Sequence, residues 1–226
     1  MKKEDKFEGF SRDTINFIHN LGLNNERGWF EAHKAEFQKV FLGPMKTLSR
    51  TVFDRVSSKY GDYGFINKVS RIYRDARYLR AGDGPYRTSL WFSIEKPVER
   101  EWTDTPVFWF DLSPESWSYG MGYGGARAET MTKLRARIDE DPKKFEKLVV
   151  FLEGQTEFML EGDEYVRKKE APSAKTAPWY NKKSFSLIHR QMNGEELFSA
   201  DLADRIAEGM MVLMPVYEYL VTLETD

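Results

Sequence analysis

Apolar residues recur every three or four positions through the first sixty residues, the spacing of helices with one buried face. Ile15, Ile18 and Leu21 mark a first helix, with Ser11 as its cap and Gly22 ending the pattern. Trp29, Phe30, His33, Phe37 and Val40 mark a second, for which Asn25 is the expected cap. Gly43-Pro44 is expected to break the chain, with Pro44 suited to the first turn of a third helix carrying Met45, Leu48, Val52 and Val56.

From Phe65 the period shortens. Val69, Ile72, the run Leu90–Ile94, Val107–Leu112 and Trp117–Met121 read as extended. Ser113-Pro114-Glu115-Ser116 is a hairpin turn between the last two. Met131, Leu134 and Ile138 then mark a helix, and Pro142 opens another with Phe145, Leu148 and Leu152. Lys168–Lys183 reads as a loop, punctuated by Pro172, Pro178 and Asn181, and Phe185–Arg190 as a strand. Ser199 is expected to cap a final helix, with Asp201 and Asp204 near its positive end and Pro215 kinking it. This order predicts an α+β fold, with N-terminal helices packed on a mainly antiparallel sheet and further helices at the C-terminus. No linker divides the chain, so a single domain over residues 1–226 is expected.

Charge and composition narrow the function classes. The 226 residues carry 34 Lys+Arg against 36 Asp+Glu and no Cys. A slightly acidic chain lacks the basic excess with which nucleic-acid binders displace counterions. Without Cys there is no disulfide, thiolate metal site or Cys nucleophile. The start, Met1 to Lys6, has no apolar stretch behind it, and the longest uncharged apolar run, Met210–Val216, has seven residues. A signal peptide or a span of about 20 residues is therefore not expected. Residence in the cytoplasm, away from membranes, is the default.

One segment departs from this even balance. Arg71-Ile72-Tyr73-Arg74-Asp75-Ala76-Arg77-Tyr78-Leu79-Arg80 is followed by Asp83-Gly84-Pro85-Tyr86-Arg87, five Arg against two Asp. Guanidinium forks match phosphate or carboxylate oxygens two at a time. The candidate ligand-binding residues are Arg71, Arg74, Asp75, Arg77, Tyr86 and Arg87, with Tyr86 offering a hydroxyl and Asp75 orienting the arginines or acting as a base. At strand period, Arg71, Tyr73, Asp75 and Arg77 share one face and Arg74 takes the other. A structural network of Arg–Asp pairs is the competing account, and two Asp cannot satisfy five Arg.

Other motifs carry less. His19, His33 and His189 are widely spaced, so no metal or cofactor is expected, and His33, four positions after Trp29, reads as a packing residue. Gly120, Gly122, Gly124 and Gly125 suit a bulge or close strand approach better than a phosphate cradle. Trp179-Tyr180 fits a lid over the core better than a stacking platform for bases. No G-x-S-x-G or G-x-x-x-x-G-K-[ST] pattern is present.

Several segments together resemble a family known as domain of unknown function 2461 (DUF2461). They are Phe7-Glu8-Gly9-Phe10-Ser11, Asn24-Asn25, Trp29-Phe30, His33-Lys34, Pro44, the arginine motif Arg71 to Arg77, and Pro85-Tyr86-Arg87. The resemblance implies a widespread soluble protein with no established activity, and so no catalytic residue. Where the family pattern shows a Lys-rich run after the last motif Arg, this chain reads Leu79-Arg80-Ala81-Gly82-Asp83-Gly84. Two functions follow as expectations. One is binding of a small phosphate- or carboxylate-bearing ligand at the arginine segment. The alternative is a non-catalytic scaffold or protein-interaction domain in which the arginines form a salt-bridge network and exposed aromatics meet a protein partner.

Overall fold

In a computed structural model the chain forms an α+β fold with a six-stranded antiparallel sheet. The structure describes residues 6–80, 82–97 and 105–224; the polar start Met1–Asp5 and Ala81 of the arginine segment lie outside them. The sheet comprises β1 (Ile66–Val69), β2 (Leu90–Glu95), β3 (Val107–Leu112), β4 (Ser116–Gly122), β5 (Met159–Glu161) and β6 (Ser186–Met192), in the order β1-β2-β3-β4-β6-β5. The helices are α1 (Arg12–Leu23), α2 (Arg27–Phe37), α3 (Gly43–Tyr60), α4 (Ala128–Glu140), α5 (Pro142–Val149), α6 (Ala177–Tyr180) and α7 (Leu202–Val221). Among the described residues, no helix is long and apolar enough to cross a membrane.

The chain divides into two compact units, each with its own core. The first comprises Met1–Ile94, Trp109–Ser118 and Arg190–Glu208. Here α1 starts where expected: Ser11 accepts the Thr14 backbone N–H, and the Thr14 hydroxyl accepts the Ser11 N–H, a reciprocal capping box. Two expectations are corrected. The cap of α2 is Glu26, because the Asn25 side chain bonds elsewhere. The chain also does not break at Gly43-Pro44. A π-helical turn, Gln38–Leu42, carries α2 into α3, closed by the Gly43 N–H on Gln38 O. Pro44 sits in the first turn of α3, where its missing donor leaves no bond unmade. Phe17, Phe30 and Phe37 pack around this turn, with ring centroids 5.3–5.9 Å apart in the Phe30–Phe37 and Phe17–Phe37 pairs.

Helix α3 faces β1, where Ser49 Oγ donates to Asn67 Oδ1 at 2.6 Å. The expected hairpin turn joins β3 to β4: the Ser113 N–H and hydroxyl both reach Ser116 O. Asn193 clasps that turn through Ser113 O and Pro114 O.

The second unit comprises Glu95–Phe108, Tyr119–His189 and Gly209–Asp226. Met131, Leu134 and Ile138 of α4 are buried, as are Phe145 of α5 and Trp179 of α6. The Trp179 ring meets Phe145 and Phe185 edge-on, and the Tyr180 hydroxyl donates to Asp139 at 2.9 Å. Both rings are buried, which suits packing and leaves no face for a base. Helix α6 interrupts the stretch expected to be a loop. Gly120 is needed for close approach: a Cβ there would lie 2.0 Å from Leu187 O on β6. Pro215 lies inside α7, which continues to Val221.

Candidate functional site

The arginine segment lies within the first unit, at the end of β1. Beyond Val69 the pairing with β2 lasts one residue more: the Ser70 N–H donates to Trp91 O at 2.8 Å, and Ser70 Oγ accepts the Trp91 N–H at 2.9 Å. The chain then makes one isolated antiparallel bridge, Tyr73 with Tyr86. It is framed by Arg74 N–H to Pro85 O (2.9 Å) and Arg87 N–H to Ile72 O (2.7 Å). Alternation along this stretch buries Ile72 and exposes Arg71 and Tyr73.

The far side of the bridge is held by a side chain. Asn25, between α1 and α2, donates from Nδ2 to Tyr86 O (2.9 Å) and accepts the Tyr86 N–H on Oδ1 (3.0 Å). Its amide thus does what a neighbouring strand would do. The Tyr86 ring stacks on Phe30 at 4.1 Å and is 1% exposed. Burial, and then the neighbouring Tyr73, raise its hydroxyl pKa. Gly84 makes room for the clamp, since a Cβ there would lie 2.2 Å from Asn25 Cγ.

Two of the five guanidinium groups are held locally. Arg74 donates from Nε to Tyr86 O (3.0 Å) and pairs with Asp83 at 3.5 Å. Arg77 forms a two-pronged pair with Asp75, Nε to Oδ1 at 3.0 Å and Nη2 to Oδ2 at 2.5 Å. Asp75 also accepts the Arg77 N–H and so caps the short 3-10 turn Ala76–Tyr78. The Arg77 side-chain and backbone bonds lower the Asp75 pKa to about 2, with a smaller pull from Arg87. Arg71, Arg80 and Arg87 have no ion pair among the described residues, and all three are exposed. Their surplus charge therefore meets water and carries no burial penalty.

Two hollows flank Arg71. The basic one, of about 440 Å³, is lined by Lys68, Arg71, Arg74 and Arg87 with the rings of Tyr73 and Trp91. Asp75 is the one carboxylate on its wall among the described residues. The other, of about 320 Å³, is walled by Phe37, Leu42, Val69, Ile72 and Tyr73, with Lys34 and Lys46 among its lining. Val69, Ser70, Arg71 and Tyr73 belong to both. The π-helical turn supplies Gln38 and Leu42 to the apolar hollow.

Four of the six residues singled out in the sequence therefore line one hollow: Arg71, Arg74, Asp75 and Arg87. The other two do not. Arg77, in the 3-10 turn, pairs with Asp75, and Tyr86 lies in the core beneath the bridge. Arg74 shares the hollow with Arg71, against the strand-period expectation that it takes the other face. Lys68, Tyr73 and Trp91 join the wall without having been selected; the alternation signalled Tyr73, whereas Lys68 and Trp91 come together only through the pairing of β1 with β2. Outside the site, His33 stacks on Trp29 at 4.1 Å and donates from Nδ1 to Trp29 O, a packing role.

Comparison with curated proteins finds no match in sequence. A family profile described as conserved hypothetical protein (DUF2461) does match, over residues 13–219, a stretch that holds Asn25, the π-helical turn, the whole arginine segment and both hollows. The chain belongs to the DUF2461 family.

Proposed function

We propose that the protein binds a small anionic ligand, phosphate- or carboxylate-bearing, in the basic hollow. The observation that carries this reading is an asymmetry among the arginines. Asp83 and Asp75 hold Arg74 and Arg77, whereas Arg71 and Arg87 border a hollow with no ion pair among the described residues. Arg74, fixed by Tyr86 O, presents its charge with little ordering left to lose, and Arg71 and Arg87 supply forks for the anion. Asp75 orients Arg77 and the turn; a carboxyl held near pH 2 is a weak proton acceptor at neutral pH, so we assign it no role as a base.

The test is a titration with inorganic phosphate and with citrate at low and high salt, followed by calorimetry and melting temperature. Binding is expected at low salt, weakening as salt screens the exposed cations. Arg71→Ala is expected to weaken it roughly tenfold without lowering the melting temperature of the free protein. Absence of binding by either anion at low salt would overturn the reading.

A further inference from the structure

The two hollows share Val69, Ser70, Arg71 and Tyr73; one gathers four cations and the other adds the apolar side chains of Phe30, Phe37, Leu42 and Ile72. Resting on the anion-binding reading, we infer that the ligand is a soluble phosphate monoester of a ring-sized apolar alcohol, its phosphate in the basic hollow and its apolar body in the hollow beside it. Three observations lead there.

The first is charge. On the wall of the basic hollow Arg71 and Arg87 have no ion pair among the described residues, whereas Arg74 pairs with Asp83 and Asp75 with Arg77. That balance matches the nearly dianionic charge of a phosphate monoester at neutral pH better than a single carboxylate. The second is position. Arg71 and Tyr73 belong to both hollows, so an anion gripped by Arg71 stands at the edge of the apolar one. Tyr73 is half-exposed and places an aromatic side chain at that boundary.

The third is size. A cavity on the order of 150 Å³ with aliphatic and aromatic walls accepts benzene, and the apolar hollow measures about 320 Å³. A ring or a group of similar bulk fits this space. Gln38 and Leu42 of the π-helical turn line this space, so a segment of irregular backbone contributes to the apolar half of the site. Lys34 and Lys46 add positive charge around the same space, which favours an anionic over a neutral or cationic ligand.

The experiment compares inorganic phosphate, phenyl phosphate and phenol by calorimetry on the intact protein. Phenyl phosphate is expected to bind roughly tenfold more tightly than inorganic phosphate, and phenol more weakly than both. Leu42→Asn is expected to erase most of that advantage while leaving inorganic phosphate affinity in place. Equal affinity of the wild-type protein for phenyl and inorganic phosphate would overturn the inference and leave the anion-binding reading standing. Failure of both to bind would overturn both. Co-sedimentation with vesicles containing phosphatidic acid distinguishes a lipid source: capture at lower concentration than phenyl phosphate requires would overturn the assignment to a soluble ester.

Discussion

Asn25 and Tyr86 are 61 positions apart and joined by two hydrogen bonds, one in each direction between a side-chain amide and a peptide group. The contact makes one bridge of backbone pairing into a fixed wall. Without it the Tyr86 N–H would be an unpaired donor on a buried residue, while Tyr86 O would still accept from Arg74. Asn25→Ala is therefore expected to cost about 2 kcal/mol, read as a shift in the urea midpoint. The same variant should weaken phosphate binding, because the ends of Arg74 and Arg87 hang from this bridge.

Gly84 and Asn25 are expected to be coupled. Gly84→Ala alone places a Cβ against the Asn25 amide and should cost about 1–3 kcal/mol. In an Asn25→Ala background the obstacle is gone and the added cost should fall to a few tenths of that. A double-mutant cycle by urea denaturation measures the difference. Strict additivity would show that the two do not meet.

Asp111, on β3, sets a dependence on pH. Burial pushes its pKa from 3.8 up to about 6, and a hydrogen bond from Ser89 draws it partly back. The folded protein thus holds this proton more tightly than the unfolded chain does. Its contribution is complete below about pH 4 and declines as pH rises through about 6. Asp111→Asn is expected to stabilise the protein by about 2–3 kcal/mol at pH 8 and by little at pH 4. Urea titrations at the two pH values give the comparison.

Asp75 should move the other way. Its pKa of about 2 reflects first the Arg77 side chain, then the Arg77 N–H. In Arg77→Ala the backbone bond and the pull of Arg87 remain, so the pKa should rise only part of the way to 3.8, as followed by carboxyl carbon chemical shifts. Because the folded value is depressed, the pair's stabilising contribution is present above the ordinary carboxylate range. It is lost as pH falls through about 2. Arg77 lies off the hollow wall, but its loss leaves the Asp75 carboxylate on that wall uncompensated, so the same variant should weaken phosphate binding, though less than Arg71→Ala does.

The helices of the first unit were legible because their apolar residues keep one period and their ends carry plain signals, as Ser11 shows. Gly43-Pro44 misled for a physical reason. A proline at the start of α3 and a preceding π-helical turn carry the same residues as a break would, and only the Gly43 N–H reaching Gln38 O tells them apart. Strand β5 has three residues, too few to show alternation. At the site, the surplus of arginine was visible as composition, and Arg71, Arg74, Asp75 and Arg87 followed from it. Arg77 and Tyr86 lie off the hollow, the first because it sits in the Ala76–Tyr78 turn and the second because its ring faces Phe30, which reads the same in sequence as a tyrosine facing solvent. Lys68 and Trp91 needed the register of β1 on β2, which no local pattern contains.

The lone Tyr73–Tyr86 bridge also bears on affinity. A continuous ladder spreads its cohesion over many peptide groups, whereas this bridge rests on two backbone bonds and the Asn25 clamp. A ligand held by Arg71 and Arg87 together would favour the closed form of this bridge. Apparent affinity is scaled by the closed fraction, so a ligand should slow amide proton exchange at Arg74 and Arg87 far more than in the centre of β3.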